Sequence, residues 1–335
     1  MTLFSVVILN WNGEKLLRQF LPAVIRNTDP ERAEIIVVDN GSTDRSLQVM
    51  REEFPAVRVI AFEKNYGFAA GYNKAVALLD SVYVVLLNSD VEVTPAWLTP
   101  VRELFEKEPD VAAVQPKIRA WKEKDKFEYA GACGGYIDRY GFPFCRGRIL
   151  NTTEVDAGQY EDVAEVFWCS GAALCVKRKV YLDCGGLDER FFAHMEEIDF
   201  CWRMRNQGHI LKVQPASVVY HLGGASLPMN HPRKLFLNYR NNLLMLYKNL
   251  DRQVWRKLFL VRFLMDSAAF LIFLLRGQLA NARSVFRAYR AFFYLRKEYH
   301  PSPACREDPC IYKGSIVLAY FIKGIKTYTA LKKRK

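Results

Sequence analysis

Four short apolar runs, each followed by polar side chains, are the feature of this 335-residue sequence that most limits its fold. The runs are rich in β-branched residues and have the length of strands. They occupy residues 3–9, 34–39, 57–62 and 82–87. Stretches with helical character separate them, at residues 14–27, 42–54 and 68–79. This alternation predicts an α/β fold with a Rossmann-like, mostly parallel sheet flanked by helices.

Polar residues stand where each of these strands ends. In parallel sheets, ligands bind beyond the carboxyl ends of the strands, so these side chains are expected to line one crevice. They are Asn10, Asn12, Asp39, Asn40, Lys64, Asn65, Asn88, Ser89 and Asp90.

The next part of the chain is less regular. A helix is predicted at residues 97–107 and a short strand near residues 112–115. The glycine- and aromatic-rich stretch 130–148 is typical of a loop or hairpin over a site. Residues 168–226 predict strand, helix, loop, helix and strand, and the sequence after residue 230 is helical and basic.

Two motifs near the predicted strand ends allow both a structural and a functional interpretation. Asp39, in VVDNGSTD, either accepts hydrogen bonds from the following turn or binds a nucleobase imide or ribose hydroxyl. The stretch NYGFAAGYNKA is neither a P-loop nor GxGxxG. Its glycines suit close helix packing, while Lys64, Asn65 and Asn73 are candidates to face a nucleotide.

An acidic cluster lies in AHMEEIDFCWRMR, residues 193–205. Helical spacing places Glu196 and Asp199 on one face, pairs Asp199 with Arg203 and directs Glu197 elsewhere. A solvated charged face would have the same pattern. The flanking aromatic residues favour partial burial, which would raise carboxylate pKa values and suit general-base work.

His221 ends the predicted strand SVVYH. A single histidine at a strand end is more often a structural residue than a metal ligand. It becomes a candidate ligand if the fold brings a second one beside it, and Asp90 is the predicted partner.

Eight motifs, in order and spacing, resemble the family 2 glycosyltransferases of the GT-A fold, especially their bacterial rhamnosyltransferase-like branch. The resemblance covers about residues 1–225. The motifs are VVILNWNG, VVDNGSTD, NYGFAAGYN, LLNSDVEV, SGAALCVKR, GGLDERFF, EEIDFCWR and VVYHLGGAS.

The resemblance implies a donor site for a nucleotide sugar. Asp39 matches the carboxylate that reads the base and ribose. Asn88-Ser89-Asp90 falls where the family carries its DxD motif, so Asp90 is the implied ligand of a divalent cation on the donor diphosphate. His221 matches a histidine that completes the metal site in some relatives, and an imidazole ligand favours Mn²⁺ over Mg²⁺.

The resemblance also implies an inverting, metal-dependent transfer to an acceptor hydroxyl. Glu197 matches the catalytic base of the family's Glu-Asp pair, but the pair here is Glu196-Glu197, so either carboxylate is a candidate. Asp199 and Arg203 would orient the helix and the loop, and Asp188, in GGLDERFF, would shape the acceptor side.

Positive charge is concentrated in the last third of the chain. Residues 231–335 contain 22 Lys and Arg against 5 Asp and Glu. The sequence predicts a glycosyltransferase domain at 1–228 and a basic, amphipathic helical tail at 229–335. Residues 257–275 are apolar but contain Arg262 and Asp266, which leaves an interfacial, a spanning or a buried helix open.

The stretch 315–335 has the same apolar and basic character. Anionic lipids attract such segments, so an anionic membrane surface is the expected partner of the tail. No nucleic-acid recognition motif accompanies the charge, and the aromatic residues lie within apolar stretches, so no nucleic-acid partner is expected.

The eight cysteines show no CxxC or zinc-like spacing and are interpreted as reduced thiols. No secretory signal is evident at the start of the sequence. The predicted location is therefore the cytoplasmic face of the inner membrane, peripheral or with one spanning helix.

The leading hypothesis is a glycosyltransferase that uses dTDP-rhamnose or a UDP-sugar and extends a lipid-linked surface polysaccharide. The alternative is a non-catalytic nucleotide-sugar-binding scaffold in an assembly complex, which Asn88 and the Glu-Glu pair leave open. A nucleotidyltransferase is less consistent with the sequence, because the N-terminal glycine-rich loop that binds a triphosphate is missing.

Overall fold

The computed structural model describes residues 2–223, 231–300 and 308–333. Its strands are β1 (Phe4–Asn10), β2 (Ala33–Asn40), β3 (Arg58–Phe62), β4 (Tyr83–Asn88), β5 (Val91–Val93), β6 (Val111–Ala120), β7 (Gly135–Asp138), β8 (Pro143–Cys145), β9 (Arg148–Ile149), β10 (Thr152–Thr153), β11 (Ala164–Glu165), β12 (Ala173–Lys177), β13 (Ile210–His221) and β14 (Ile311–Tyr312).

The helices are α1 (Glu14–Asn27), α2 (Ser46–Glu53), α3 (Phe68–Ala77), α4 (Leu98–Lys107), α5 (Arg178–Asp183), α6 (Glu196–Asn206), α7 (Pro232–Asn249), α8 (Arg252–Leu275), α9 (Leu279–Leu295), α10 (Ile316–Phe321) and α11 (Tyr328–Lys332). Short 3₁₀ turns lie at Glu189–Phe191 and Arg296–Glu298.

The central sheet confirms the predicted α/β class. Its strand order is β11-β13-β6-β12-β4-β1-β2-β3, and β5 pairs with β13. The strands β4, β1, β2 and β3 are parallel neighbours, as the alternation predicts. The strand β12 runs antiparallel to both β4 and β6, so a reversed strand separates the two parallel parts of the sheet.

The register of the parallel strands aligns their polar ends. Asn10 of β1 lies opposite Asp39 of β2, and Leu9 lies opposite Asn88 of β4. Apolar side chains on both faces of these strands are buried against the helices. The polar residues therefore meet at one edge of the sheet, where the crevice was predicted.

A second, smaller sheet has the order β10-β9-β8-β7-β14. The stretch predicted as a loop or hairpin forms the antiparallel hairpin β7-β8 within it. The strand predicted near 112–115 is longer, since β6 extends from Val111 to Ala120.

The last described segment packs against this second sheet. β14 pairs with β7, and the backbone N–H of Ile316 donates to Asp138 at 2.9 Å. The described part of the stretch 315–335, which has the apolar and basic character noted above, forms the short helices α10 and α11. Its buried side chains Ile316, Ala319, Ile325 and Leu331 join one apolar cluster with the sheet.

The helix α7 is part of the main core, although the sequence places it in the tail. Its side chains Leu243 to Leu246 are buried in the same apolar cluster as residues of the central sheet. The boundary predicted at residues 228 and 229 lies outside the described residues, and the two-part division stays a prediction.

The helix α8 is long and apolar enough to cross a membrane, by length and composition. The charged residues within its apolar part, Arg262 and Asp266, are buried on the side that faces the protein. Arg262 donates to the carbonyl oxygen of Tyr140 at 2.8 Å, and Asp266 accepts from the hydroxyl of Tyr289 at 2.7 Å. Most of the remaining apolar surface of α8 is exposed, which disfavours the buried-helix interpretation.

The described cysteines Cys133, Cys145, Cys169, Cys175, Cys184 and Cys201 are free and buried. This agrees with the interpretation as reduced thiols. Cys305 lies outside the described residues.

Candidate active site

The end of β1 and the turn after β2 are joined by side-chain hydrogen bonds. The Asp39 carboxylate accepts from Asn10 Nδ2 at 3.2 Å and from the backbone N–H of Ser42 at 3.0 Å. Asn12 Oδ1 accepts from the backbone N–H of Thr43 at 2.7 Å. Asp39 therefore makes the turn contacts of the structural interpretation, and its contact with a donor stays a prediction.

Asn40 connects this turn to the start of α3. Its Nδ2 donates to Asn65 Oδ1 and to the Gly67 carbonyl oxygen, both at 3.0 Å, and its Oδ1 accepts from the Tyr66 N–H. Lys64 is exposed and lies over the Tyr66 ring, 5.3 Å from its centroid. Gly41 has φ +70° and lies against the Lys64 backbone, so a Cβ there would clash with the main chain.

Asn73 is engaged away from this crevice. Its Nδ2 donates to the Leu187 carbonyl oxygen at 2.8 Å, and its Oδ1 accepts from the Tyr181 hydroxyl and the Leu187 N–H. In the structure Asn73 thus holds the GGLDERFF loop, and a contact with a nucleotide stays a prediction.

The fold brings Asp90 and His221 together, as the sequence predicts. Asp90 Oδ1 lies 3.1 Å from His221 Nε2, and both side chains are buried. Strand pairing of β5 with β13 places Val91 opposite His221, which explains the contact. Asn88 Nδ2 lies 3.4 Å from the same Nε2, while Ser89 is half-buried between Asn88 and Asp90.

Glu128 is a third member of this cluster that the sequence did not reveal. Its Oε2 lies 3.4 Å from His221 Nδ1. Burial lowers the pKa of His221, but the charge of Glu128 and the hydrogen bond to Asp90 outweigh it and raise this pKa to about 10. Burial likewise opposes ionisation of Asp90, yet His221 holds the pKa of Asp90 below its ordinary value.

The donor atoms of this cluster suit a divalent cation, because carboxylate oxygen and imidazole nitrogen are ligands of Mn²⁺. His221 Nδ1 is buried and makes no hydrogen bond. Over residues 2–223, 231–300 and 308–333, no group of three or more His, Cys, Asp or Glu has metal-binding spacing. The Asp90 carboxylate and the His221 imidazole, once it has lost its proton, could each supply one ligand, and a metal site here stays a prediction.

The acidic pair at the start of α6 has buried, unpaired oxygens. Glu196 Oε2 and Glu197 Oε2 are buried and have no hydrogen-bond partner in the described part of the chain. Burial raises the pKa of Glu197 to about 6, and burial together with the charge of Glu197 raises the pKa of Glu196 well above its ordinary value. A carboxyl group with a pKa near neutrality is suited to general-base catalysis.

Glu197 faces the segment that precedes β12. A Cβ built on Gly171 would lie 3.7 Å from the Glu197 Cβ. The carbonyl oxygen of the next residue, Ala172, accepts a hydrogen bond from the backbone N–H of Asn88 at 3.0 Å. This places Glu197 beside the strand end that carries Asn88 and Asp90.

Asp199 lies on the opposite side of α6 and is fully buried. Its carboxylate accepts from Arg203 Nε at 2.9 Å, Lys248 Nζ at 2.8 Å and Asn249 Nδ2 at 2.7 Å. The predicted contact of Asp199 with Arg203 is present, and an orienting role for these two residues stays a prediction. The sequence did not reveal Lys248 or Asn249, because they belong to α7.

Asp188 shares Lys248 with Asp199. Its Oδ2 lies 2.6 Å from Lys248 Nζ. Asp188, Lys248 and Arg203 line a surface cavity of about 500 Å³. Burial alone would raise the pKa of Asp188, but the Lys248 charge holds this pKa below its ordinary value. An acceptor role for Asp188 and Arg203 stays a prediction.

Residues 5–158 match the family model described as Glycosyl transferase family 2. Residues 5–158 therefore belong to a family 2 glycosyltransferase domain with the GT-A fold, and the protein is an enzyme of the glycosyltransferase class.

The chain is similar to the N-acetylglucosaminyl-diphospho-decaprenol L-rhamnosyltransferase of Mycobacterium tuberculosis. The identity is 26% over 234 residues, which cover 64% of this chain and 75% of that protein.

Two solved structures share the fold. The mannosyltransferase PcManGT from Pyrobaculum calidifontis, in complex with GDP-Man and Mn²⁺, has a TM-score of 0.52 and 14% identity, over 90% of this chain and 76% of that one. GalNAc-T7 with UDP, GalNAc and Mn²⁺ has a TM-score of 0.56 and 16% identity, over 73% of this chain and 48% of that one.

We predict that Lys248→Met destabilises the protein by about 3 kcal/mol at pH 7, because it leaves the buried carboxylates of Asp188 and Asp199 without this cation. Asp188 has a depressed pKa, so its stabilising contribution is present at neutral pH and lost as pH falls through the folded-state pKa. The difference from wild type should therefore shrink in acid. Urea unfolding at pH 7 and at about pH 3 measures it.

Lys179→Met is the matched control, because Lys179 pairs with Asp183 on the surface with 85% and 54% of the two side chains exposed. An equal loss of stability in both variants would contradict the buried network.

Proposed function

We propose that the protein transfers a sugar from a nucleotide-diphosphate donor, dTDP-rhamnose or a UDP-sugar, to a hydroxyl of a lipid-linked glycan acceptor. The observation that carries this is the approach of Glu197, whose Oε2 is unpaired among the described residues, to Gly171, one residue before the carbonyl group bonded to Asn88 at the end of β4. The name of the mycobacterial relative, a rhamnosyltransferase for a lipid-linked sugar, supports the acceptor class.

On the donor side, we propose that the edge formed by Asn10, Asp39 and Asn88 receives the nucleotide. The register of β1, β2 and β4 aligns these residues. The parallel strands end here with polar side chains, which is the usual ligand position in such sheets. The crystallised neighbours with UDP and GDP-Man support a nucleotide-sugar donor.

The cation proposed for this site is Mn²⁺ or Mg²⁺, with Asp90 and His221 as its protein ligands. When bound, it would neutralise the charge that develops on the leaving diphosphate. Asn88 contributes a neutral amide where a second acid is usual in relatives, so the protein supplies one fewer negative charge.

Glu197 is the proposed general base. It removes the proton from the acceptor hydroxyl while that oxygen forms a bond to the anomeric carbon and the bond to the diphosphate breaks. A single displacement of this kind inverts the anomeric centre. Glu196 is more deeply buried, and we assign Asp199 a positioning role, since all of its described partners are donors from α6 and α7.

We predict that Glu197→Gln lowers kcat by about 10²- to 10⁴-fold, because the amide cannot accept the proton. Asp90→Asn should lower activity and weaken the dependence on Mn²⁺. Transfer from dTDP-L-rhamnose to N-acetylglucosaminyl-diphospho-decaprenol is the first assay, with UDP-sugars as further donors.

Glu196→Gln distinguishes the two carboxylates, and Glu52→Gln, at an exposed position on α2, is the control. Normal transfer by both Asp90→Asn and Glu197→Gln would refute the assignment.

We further propose that α8 lies on an anionic membrane surface. Its charged residues Arg262 and Asp266 are buried toward the protein, while Leu260, Phe263 and Leu264 are exposed by 62%, 47% and 62%. A helix with one docked polar side and one exposed apolar side suits the bilayer interface. Flanking basic residues would attract anionic headgroups.

We predict that the protein sediments with phosphatidylglycerol vesicles. The double variant Phe263→Asp, Leu264→Asp should reduce vesicle binding by at least about tenfold, because it removes apolar area that the bilayer would bury and adds negative charge. Leu78→Asp is the matched control, since Leu78 is 59% exposed on another part of the surface. Release by high salt supports an interfacial helix. Extraction by detergent alone would contradict it and indicate a span.

A further inference from the structure

Asn241, in the middle of α7, is fully buried and directed at the loop before α6. Its Nδ2 donates to the carbonyl oxygens of Phe191, Ala193 and His194 at 3.0, 2.9 and 2.7 Å. Its Oδ1 accepts from Arg240 Nε at 2.8 Å. One side-chain amide thus binds three carbonyl groups within four residues of chain.

The loop that it binds has an unfavourable backbone conformation. Phe192, His194 and Met195 have φ angles of +66°, +68° and +72°, in the left-handed region that residues with side chains rarely adopt. Such a conformation persists only where surrounding contacts enforce it. The next two residues along the chain are Glu196 and Glu197.

We propose that Asn241 is a positioning residue for the acidic pair. By binding three carbonyl groups, it fixes the strained loop and therefore the direction in which the first turn of α6 presents the Glu197 carboxylate. Asn241 exchanges no proton, and its described partners are the loop carbonyls and Arg240. The proposal rests on the function proposed for Glu197.

The neighbouring Asn242 provides a matched comparison. It is the same residue type, is also buried, and lies on the same helix. Its Nδ2 donates to the Gly141 carbonyl oxygen at 2.7 Å, and its Oδ1 accepts from Arg262 at 2.5 Å. These bonds join α7 to the second sheet and to α8, so Asn242 supports packing without touching the loop before α6.

The test compares full-length Asn241→Ala and Asn242→Ala. Transfer is assayed with dTDP-L-rhamnose and N-acetylglucosaminyl-diphospho-decaprenol in detergent micelles, so that membrane docking does not limit the rate. We predict that Asn241→Ala lowers kcat by about 10- to 100-fold with the donor KM little changed, since the base is misplaced and the donor site is intact. Asn242→Ala should lower the melting temperature and leave kcat near that of wild type.

Hydrogen exchange gives a readout that needs no substrate. The backbone amides of residues 193–197 should exchange faster in Asn241→Ala than in wild type. In Asn242→Ala their exchange rates should equal those of wild type. Unchanged exchange together with a normal kcat in Asn241→Ala would overturn the proposal, as would an equal loss of kcat in Asn242→Ala.

Asn241→Asp tests the positioning role of Asn241 if the alanine variant does not fold. It preserves side-chain size and the bond from Arg240, but directs an oxygen at the three carbonyl groups. The same loss of kcat is expected, and a normal kcat in the folded protein overturns the proposal. If Glu197→Gln transfers sugar normally, Glu197 is not the base, and the proposed function is refuted together with the role of Asn241. If Glu197→Gln is inactive and Asn241→Asp is fully active, only the role of Asn241 fails.

Discussion

The buried carboxylate of Asp199 is the interaction on which the arrangement of the site depends. Burying an unpaired charge costs several kcal/mol, so Asp199 requires its partners Arg203, Lys248 and Asn249. Arg203 belongs to α6 and the other two belong to α7. Satisfying this one charge therefore fixes α7 against α6, and with it the loop that leads to Glu196 and Glu197.

The rest of the site follows from the order of the strands. Parallel pairing of β4, β1 and β2 places Asn88, Asn10 and Asp39 at one edge. The strand β13, the last strand of the central sheet along the chain, pairs with β5 and brings His221 to Asp90. The segment before the reversed strand β12 lies between Glu197 and the end of β4, where we propose that the leaving group and the base meet.

The sequence predicts most of the first half of the fold because that half depends on local periodicity. The helix α1 has the predicted bounds, and β1 to β4 agree within one or two residues. The pairing of Asp90 with His221 was also predicted, because both residues end strands. The reversed direction of β12 and the second sheet were not predicted, since strand direction depends on contacts between distant residues.

Some site residues were not predicted for the same reason, because their contacts join parts of the chain that are distant in sequence. Glu128 follows β6 in an irregular stretch, and only the fold brings it to His221. Lys248 and Asn241 lie in a region whose basic composition indicated a separate tail. Lys248 contacts Asp199 of α6 and Asn241 contacts the loop before α6, each about 50 residues away along the chain. Arg262 and Asp266 were counted against a spanning helix, and the fold buries both toward the protein, where they contact each other and further partners.

The central claim is that one displacement occurs between a donor held near Asp90 and an acceptor hydroxyl activated by Glu197. The most direct measurement is the anomeric configuration of the first product, followed by proton NMR during turnover of a nucleotide sugar of known configuration. The account predicts the configuration opposite to that of the donor. A product that keeps the configuration of the donor would contradict the single displacement and the role of Glu197 as base.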